Sequence, residues 1–161
     1  MTGKTGVRVA HSVKRKILLF GFICGALSVV AFHQTTLLLL HYHAAKLPFL
    51  IDIFGQAQAP YNFRPVPPWG VPTVVSQAFW GGLWGILLAI LIRYLPFDDL
   101  PFGFIFGAIA LTVTAFTLVA SLKGLPLYAG GNPQTWARAG FLNGAWGFGT
   151  AFLLRPFAVR G

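Results

Sequence analysis

The sequence is poor in charged residues, and acidic residues are especially scarce. Charged residues make up 9% of its 161 residues, and three of them are acidic. Asp52 lies in one connection between apolar stretches, while Asp98 and Asp99 lie in another, where we expect them to cap the following helix. Because acid–base catalysis and intramembrane proton relays require well-placed carboxylates, we expect neither an enzyme nor a proton-coupled pump.

Cysteine is almost absent, and the histidines are confined to one end of the chain. A single cysteine, Cys24, excludes an internal disulfide framework, a thiol redox pair and a structural zinc site. His41 and His43 would point about 200° apart on a helix, so they could share a metal ion only if the backbone were extended. The other two histidines, His11 and His33, also precede residue 44, so two helices of one chain cannot supply an axial haem pair. We expect no metal and no cofactor.

Long apolar stretches dominate the remainder of the sequence. Apolar residues make up 56% of the chain, and the mean hydropathy is +0.71. Four stretches free of Asp, Glu, Lys and Arg can each supply most of a transmembrane helix of about 20 residues. The sequence therefore predicts an all-α, multi-pass integral membrane protein with a single domain over residues 1–161. The expected crossings lie near residues 17–41, 73–95, 101–122 and 135–155.

The sequence contains an internal repeat. FGFICGALS (residues 20–28) recurs as FGFIFGAIA (residues 102–110), and AFWGGLWGILLAILIR (residues 78–93) recurs as GFLNGAWGFGTAFLLR (residues 140–155). We interpret the chain as two parallel transmembrane hairpins, residues 17–95 and 101–155, related by a pseudo-twofold axis along the membrane normal. The connection within the first hairpin is the longer of the two. We expect this long outer loop, residues 44–72, to form an extended, proline-rich cap on the membrane interface.

Small residues recur at steps of three and four along all four predicted helices. Such stripes allow close approach of helix backbones within a membrane. A general abundance of glycine in membrane helices would explain one stripe but not four. Tight packing also leaves little room for a pore within one copy of the chain. The predicted packing positions are Gly21, Gly25, Gly82, Gly85, Gly103, Gly107, Gly140, Gly144 and Gly147.

The net charge of +9 follows the positive-inside rule. If residues 1–16 form a basic cytoplasmic tail, most basic residues fall on the cytoplasmic side, and both termini are cytoplasmic. We expect the bacterial inner (cytoplasmic) membrane, with the lipid bilayer rather than nucleic acid as the partner of these charges. The residues assigned to this side are Lys4, Arg8, Lys14, Arg15, Lys16, Arg93, Arg155 and Arg160.

Four polar residues occur in only one half of the repeat. Counted from the predicted outer helix ends, they lie at similar depth, about 10 Å below the interface at 1.5 Å per residue. They predict a polar layer beneath the cap, with Gln77 and Asn143 as the nearest partners of His33. This layer either binds a ligand or forms hydrogen bonds between helices. The candidate residues are His33, Gln34, Gln77 and Asn143.

The segments FGFICGALSVVAFHQ, PVPPWGVP, QAFWGGLWG and NGAWGFGTAFLLR resemble those of a family of small four-helix inner-membrane proteins of proteobacteria with no assigned function. The resemblance extends from about residue 18 to residue 154 and implies location and topology, but no site residues. We expect a non-enzymatic structural or accessory component of a membrane complex, bound to other membrane subunits or to itself. The alternative is a small-solute or ion transport protein whose path forms between copies in a homo-oligomer.

Overall fold

A computed structural model describes the backbone of residues 3–157 and the side chains of residues 15–44 and 46–157. The side chains of Lys4, Arg8, His11 and Lys14, and all of Arg160, lie outside the described residues. The described chain is mostly helical, as the sequence predicts. Its α-helices are α1 (Gly3–Ser28), α2 (Gln34–His43), α3 (Pro48–Phe54), α4 (Thr73–Tyr94), α5 (Asp99–Phe106), α6 (Thr112–Thr114), α7 (Ala120–Leu122) and α8 (Pro133–Leu154).

Short π-helical turns join several of these helices into longer ones. Val29–His33 connects α1 to α2, whereas Gly107–Leu111 and Ala115–Val119 connect α5, α6 and α7 into a third long helix. Short 3₁₀ segments cover Ala44–Lys46, Leu127–Gly131 and Arg155–Phe157. The described strands, β1 (Pro65–Val66) and β2 (Val71–Pro72), form a short antiparallel ladder.

Three of the described helices are long and apolar enough to cross a membrane: Arg15–His43, Thr73–Tyr94 and Asp99–Leu122. Long apolar helices of this kind are features of a membrane protein. The fourth expected crossing coincides with α8, which has 22 residues but is less apolar than the other three. The first helix begins at Gly3, well before residue 17, because the proline-free segment ahead of Ile17 continues the same helix.

Glycines bring the backbones of α1 and α4 into direct contact. A methyl group added at Gly25 would lie 2.8 Å from the Cα atom of Gly85 and closer still to the carbonyl oxygen of Gly81. One added at Gly21 would lie 2.8 Å from the Cα atom of Ile86. Neither Gly21 nor Gly25 could therefore be replaced by a residue with a side chain unless one of the two helix backbones moved. Glycines on both helices therefore set the distance between α1 and α4.

The same kind of contact joins α5 and the following π turn to α8. A methyl group at Gly107 would lie 2.9 Å from the carbonyl carbon of Asn143, and one at Gly147 would lie 2.8 Å from that of Gly103. In the repeated segments FGFICGALS and FGFIFGAIA, Gly103 and Gly107 occupy the positions of Gly21 and Gly25. Equivalent positions of the repeated sequence thus make equivalent backbone contacts.

The remaining predicted packing glycines lie in different surroundings. Gly82 faces the ring of Phe22, and Gly144 faces the ring of Phe104, with an added methyl group 2.6 and 2.7 Å from the nearest ring atom. At Gly140 an added methyl group would lie 3.7 Å from the Ala108 carbonyl oxygen, which is ordinary van der Waals contact. Gly140 therefore leaves room for a small side chain.

Trp146 of α8 links the two helix pairs. Its side chain is 1% exposed, and its indole nitrogen donates a hydrogen bond of 2.9 Å to the Gly25 carbonyl oxygen. In return, the Ser28 hydroxyl donates to the Trp146 carbonyl oxygen over 2.6 Å. The Cys24 thiol also donates to the Leu153 carbonyl oxygen, at 3.5 Å. Polar bonds thus fix α8 against the same helix whose glycines contact α4.

Two local expectations need correction. The Asp98 side chain accepts no capping hydrogen bond at the start of α5, where the Phe102 N–H donates to the Asp98 backbone carbonyl instead. The long outer loop is not entirely extended, because it contains the helix α3. Pro48 stands at the first position of α3, where a missing N–H costs nothing and the fixed φ favours a helix.

Alanine substitutions at Gly107 and Gly140 should have opposite consequences. Gly107→Ala forces two backbones apart, so we expect a loss of about 1–3 kcal/mol in the free energy of unfolding. The methyl group of Gly140→Ala makes only ordinary van der Waals contact, so this variant should be neutral or slightly stabilising because alanine favours a helix. Unfolding of both variants in detergent tests the difference. Equal stability would contradict the close contact at Gly107.

Candidate site under the outer cap

The outer cap, residues 44–72, is held over the helix ends by side chains of α8. The Gln134 amide donates to the backbone carbonyls of Ile51 and Asp52, both at 3.2 Å. The Arg138 guanidinium donates to the Phe54 carbonyl at 2.5 Å. Asp52 and Phe54 belong to the last turn of α3, where carbonyl groups lack N–H partners within the helix. The Ile51 carbonyl also accepts from the Gly55 N–H at 2.8 Å. The start of α8 therefore caps the end of α3.

His41 contributes a further attachment of the outer cap. Its Nδ1 atom lies 2.9 Å from the carbonyl oxygen of Ala57, so this nitrogen carries the hydrogen and donates. Ala57 is buried in a small apolar cluster with Leu40 and Leu142. Within the described residues, no group of three or more His, Cys, Asp or Glu side chains is positioned to hold a metal ion.

Gln34 joins the outer cap to α2 and α4, which belong to two of the long apolar helices. Its side chain is 2% exposed; the amide nitrogen donates to Gln77 Oε1 at 2.9 Å, and Oε1 accepts from the Tyr61 N–H at 2.6 Å. Tyr61 adopts a left-handed backbone conformation with φ of 51°. Its hydroxyl donates to the Val30 carbonyl, within the π-helical turn, at 3.1 Å. A single buried amide thus connects α2, α4 and the outer cap.

Asn143 belongs to a separate polar contact. Its amide donates to the Thr112 hydroxyl at 2.9 Å, and the Thr112 side chain is 1% exposed. This bond joins α8 to the third helix. In the first half of the repeat, the positions equivalent to Asn143 and Thr112 are Gly81 and Val30, so the bond has no counterpart there.

His33 does not have the partners expected from its depth. Gln77 is bonded to Gln34, and Asn143 to Thr112, so the expectation that either binds His33 is wrong. The buried Nδ1 atom of His33 has no hydrogen-bond partner among the described residues. The physical reason is angular: adjacent residues on a helix point about 100° apart, so the orientation that brings Gln34 to Gln77 turns His33 elsewhere.

The four predicted residues therefore form two separate bonded contacts and one unbonded imidazole. Both amide contacts connect helices through bonds between side chains. Sequence reasoning missed Tyr61 and Trp146. Tyr61 gave no signal, because its role depends on a left-handed backbone conformation. The residue equivalent to Trp146 in the first half of the repeat is Trp84, whose ring centroid lies 6.0 Å from that of Phe106. The repeat alone therefore did not indicate which of the two tryptophans bonds the Gly25 carbonyl.

Comparison of the chain with protein-family models, with curated proteins and with solved structures finds no match. The function has to be inferred from the residues themselves and from their contacts.

Replacement of Gln34 should weaken the attachment of the outer cap. Gln34→Leu leaves the partly buried Tyr61 N–H without its acceptor and Gln77 without its donor, so we expect a loss of about 1–3 kcal/mol in the free energy of unfolding. Protease cleavage within residues 55–64 should also become faster. His33→Leu is the matched control: it breaks no hydrogen bond among the described residues and should change both readouts little. If His33→Leu lowered the free energy of unfolding and accelerated cleavage as much as Gln34→Leu does, the attachment of the outer cap could not be assigned to Gln34.

Proposed function

We propose that the chain is a non-enzymatic structural or accessory protein of the bacterial inner membrane, with four membrane crossings and both termini in the cytoplasm. The observation that carries the proposal is the direct backbone contact at Gly25 and Gly85 and at Gly107 and Gly147. Helices at this separation leave no side-chain space between them, which favours a compact bundle over a path through one copy.

The repeat is best understood as two parallel hairpins. In the first hairpin, Gly21 and Gly25 contact the backbone of α4, and in the second, Gly103 and Gly107 contact that of α8. The matching aromatic contacts, Phe22 on Gly82 and Phe104 on Gly144, support the same relation. A hairpin crosses the membrane an even number of times, so two hairpins in sequence have the same orientation.

The fourth crossing is assigned to α8. Its 22 residues extend about 33 Å at 1.5 Å per residue, enough for the hydrocarbon core of a bilayer. The helix contains Arg138 near one end, where the guanidinium bonds the outer cap, and Arg155 follows the other end. Its hydropathy is lowered by glycines that contact other helices, so packing compensates for the weaker preference for lipid.

Exposed side chains favour an accessory role over transport. Phe79, Trp80, Phe148 and Phe152 are exposed on α4 and α8, where a neighbouring membrane subunit or lipid would cover them. A solute path between copies needs polar side chains along an outer helix face. Between Ile105 and Val119 the exposed positions of the third helix are apolar instead, among them Ile105, Ile109, Val113 and Leu118.

The proposed role predicts a stable assembly. Tagged protein extracted from its native membrane in mild detergent should elute as a complex larger than the 17.5 kDa chain, with its components in a constant ratio by mass spectrometry. Purified chain reconstituted in vesicles should not raise solute or ion flux above that of empty vesicles. Flux that depends on the chain, without any other subunit, would favour transport and contradict the accessory role.

The topology predicts which positions an impermeant thiol reagent reaches from outside. In a Cys24→Ser background, Gln58→Cys and Leu125→Cys should react in intact cells, whereas Thr5→Cys and Asp98→Cys should react only after lysis. All of these positions lie outside the predicted crossings. Labelling of position 5 or 98 from outside would show that the orientation is opposite to the proposed one. Labelling of position 58 and position 98 from the same side would show that α4 does not cross the membrane.

A further inference from the structure

Residues 65–72, the proline hairpin, form a fixed projection at the start of α4. Pro65 pairs with Pro72, and Val66 pairs with Val71. The backbone N–H and the hydroxyl of Thr73 both donate to the Arg64 carbonyl, at 2.9 and 2.8 Å. Thr73 is the first residue of α4, so these bonds hold the hairpin against the end of a helix that is long and apolar enough to cross a membrane.

The proline hairpin has a composition suited to lipid rather than water. From residue 65 to residue 72, the indole N–H of Trp69 is the only polar side-chain group in the sequence PVPPWGVP. Half of these residues are proline and lack a backbone N–H. The Gly70 N–H is bonded to the Val66 carbonyl at 3.0 Å. Because unpaired N–H groups make burial in lipid costly, a segment with so few donors can enter the interface at low cost.

The side chains around the proline hairpin match the chemistry of a lipid headgroup layer. Trp69 is 86% exposed and Phe63 is 68% exposed, so the folded chain covers little of either ring. Tryptophan concentrates at membrane interfaces, where its apolar body and its polar N–H are both accommodated, and the exposed Phe63 ring adds apolar surface. The exposed Arg64 lies beside Phe63 and complements the negative charge of lipid phosphates.

We propose that the proline hairpin inserts into the headgroup layer of the bilayer that α4 crosses, with Trp69 below the phosphates and Arg64 in contact with them. The hairpin continues the apolar surface of α4, whose first turn already exposes Val75. Lipid is therefore the occupant of this surface. The proposal rests on the membrane crossing of α4 and goes beyond it by assigning a lipid-binding role to the connection outside the helix.

The test measures the depth of a nitroxide spin label in vesicles of phosphatidylethanolamine and phosphatidylglycerol. Three variants in a Cys24→Ser background carry the label: Trp69→Cys, with Leu83→Cys of α4 as the lipid reference and Gln58→Cys of the outer cap as the water reference. Oxygen concentrates in lipid, and a water-soluble nickel chelate concentrates in the aqueous phase. Position 69 should collide with oxygen several-fold more often, relative to nickel, than position 58 does.

Any other result would contradict either the insertion of the proline hairpin into lipid or the membrane crossing of α4. A label at position 69 that resembles position 58, while position 83 reports lipid, would reject hairpin insertion and leave the crossing of α4 intact. A label at position 69 shielded from both reagents would indicate a protein partner and would also reject lipid insertion. If position 83 reports water, the crossing of α4 itself fails. Because Trp69 has few contacts with the folded chain, Trp69→Cys should not disturb folding.

Discussion

Backbone contact between glycines is the constraint on which the arrangement of the helices depends. At Gly25 and Gly85 two helices approach so closely that even one methyl group would force them apart, and the same holds at Gly107 and Gly147. In lipid, where apolar burial gives little driving force for association, this proximity supplies the van der Waals contact that holds helices together. The indole of Trp146 can reach the Gly25 carbonyl because no side chain covers the backbone there. The glycines thus determine both the spacing within each helix pair and the polar bond between the pairs.

The two halves differ where the first half has to support the longer outer connection. Gln34 and His41 both bond the backbone of the outer cap, whereas the residue equivalent to Gln34 in the second half is Phe116. From the opposite side, Gln134 and Arg138 of α8 bond the end of α3. Polar residues near these helix ends are therefore explained largely by the need to pair the carbonyl and N–H groups of an irregular segment. This physical requirement supports a structural interpretation of most of the polar layer.

Sequence patterns predicted the helices better than they predicted the polar contacts. The apolar stretches and the spacing of Gly21, Gly25, Gly103 and Gly107 indicated long helices in close contact, because residues three or four apart share one helix face. Depth along a helix can also be counted from sequence, but the direction of a side chain around the bundle depends on packing. This is why His33 was paired with the wrong residues. The contact of Gln34 with the Tyr61 N–H could not be predicted, since it depends on a left-handed turn in a non-repeating loop.

Glycine-specific solid-state NMR tests the central claim most directly. Protein labelled with ¹³C at the glycine Cα position and reconstituted in lipid bilayers should give short-range cross peaks between Gly25 and Gly85 and between Gly107 and Gly147. Gly140→Ala removes one glycine signal and should leave these cross peaks unchanged, because the added methyl group would make only ordinary van der Waals contact, 3.7 Å from the Ala108 carbonyl oxygen. Cross peaks for both pairs would support two helix pairs built on the same backbone contact. Their absence, in a sample whose other glycine signals are resolved, would contradict the account.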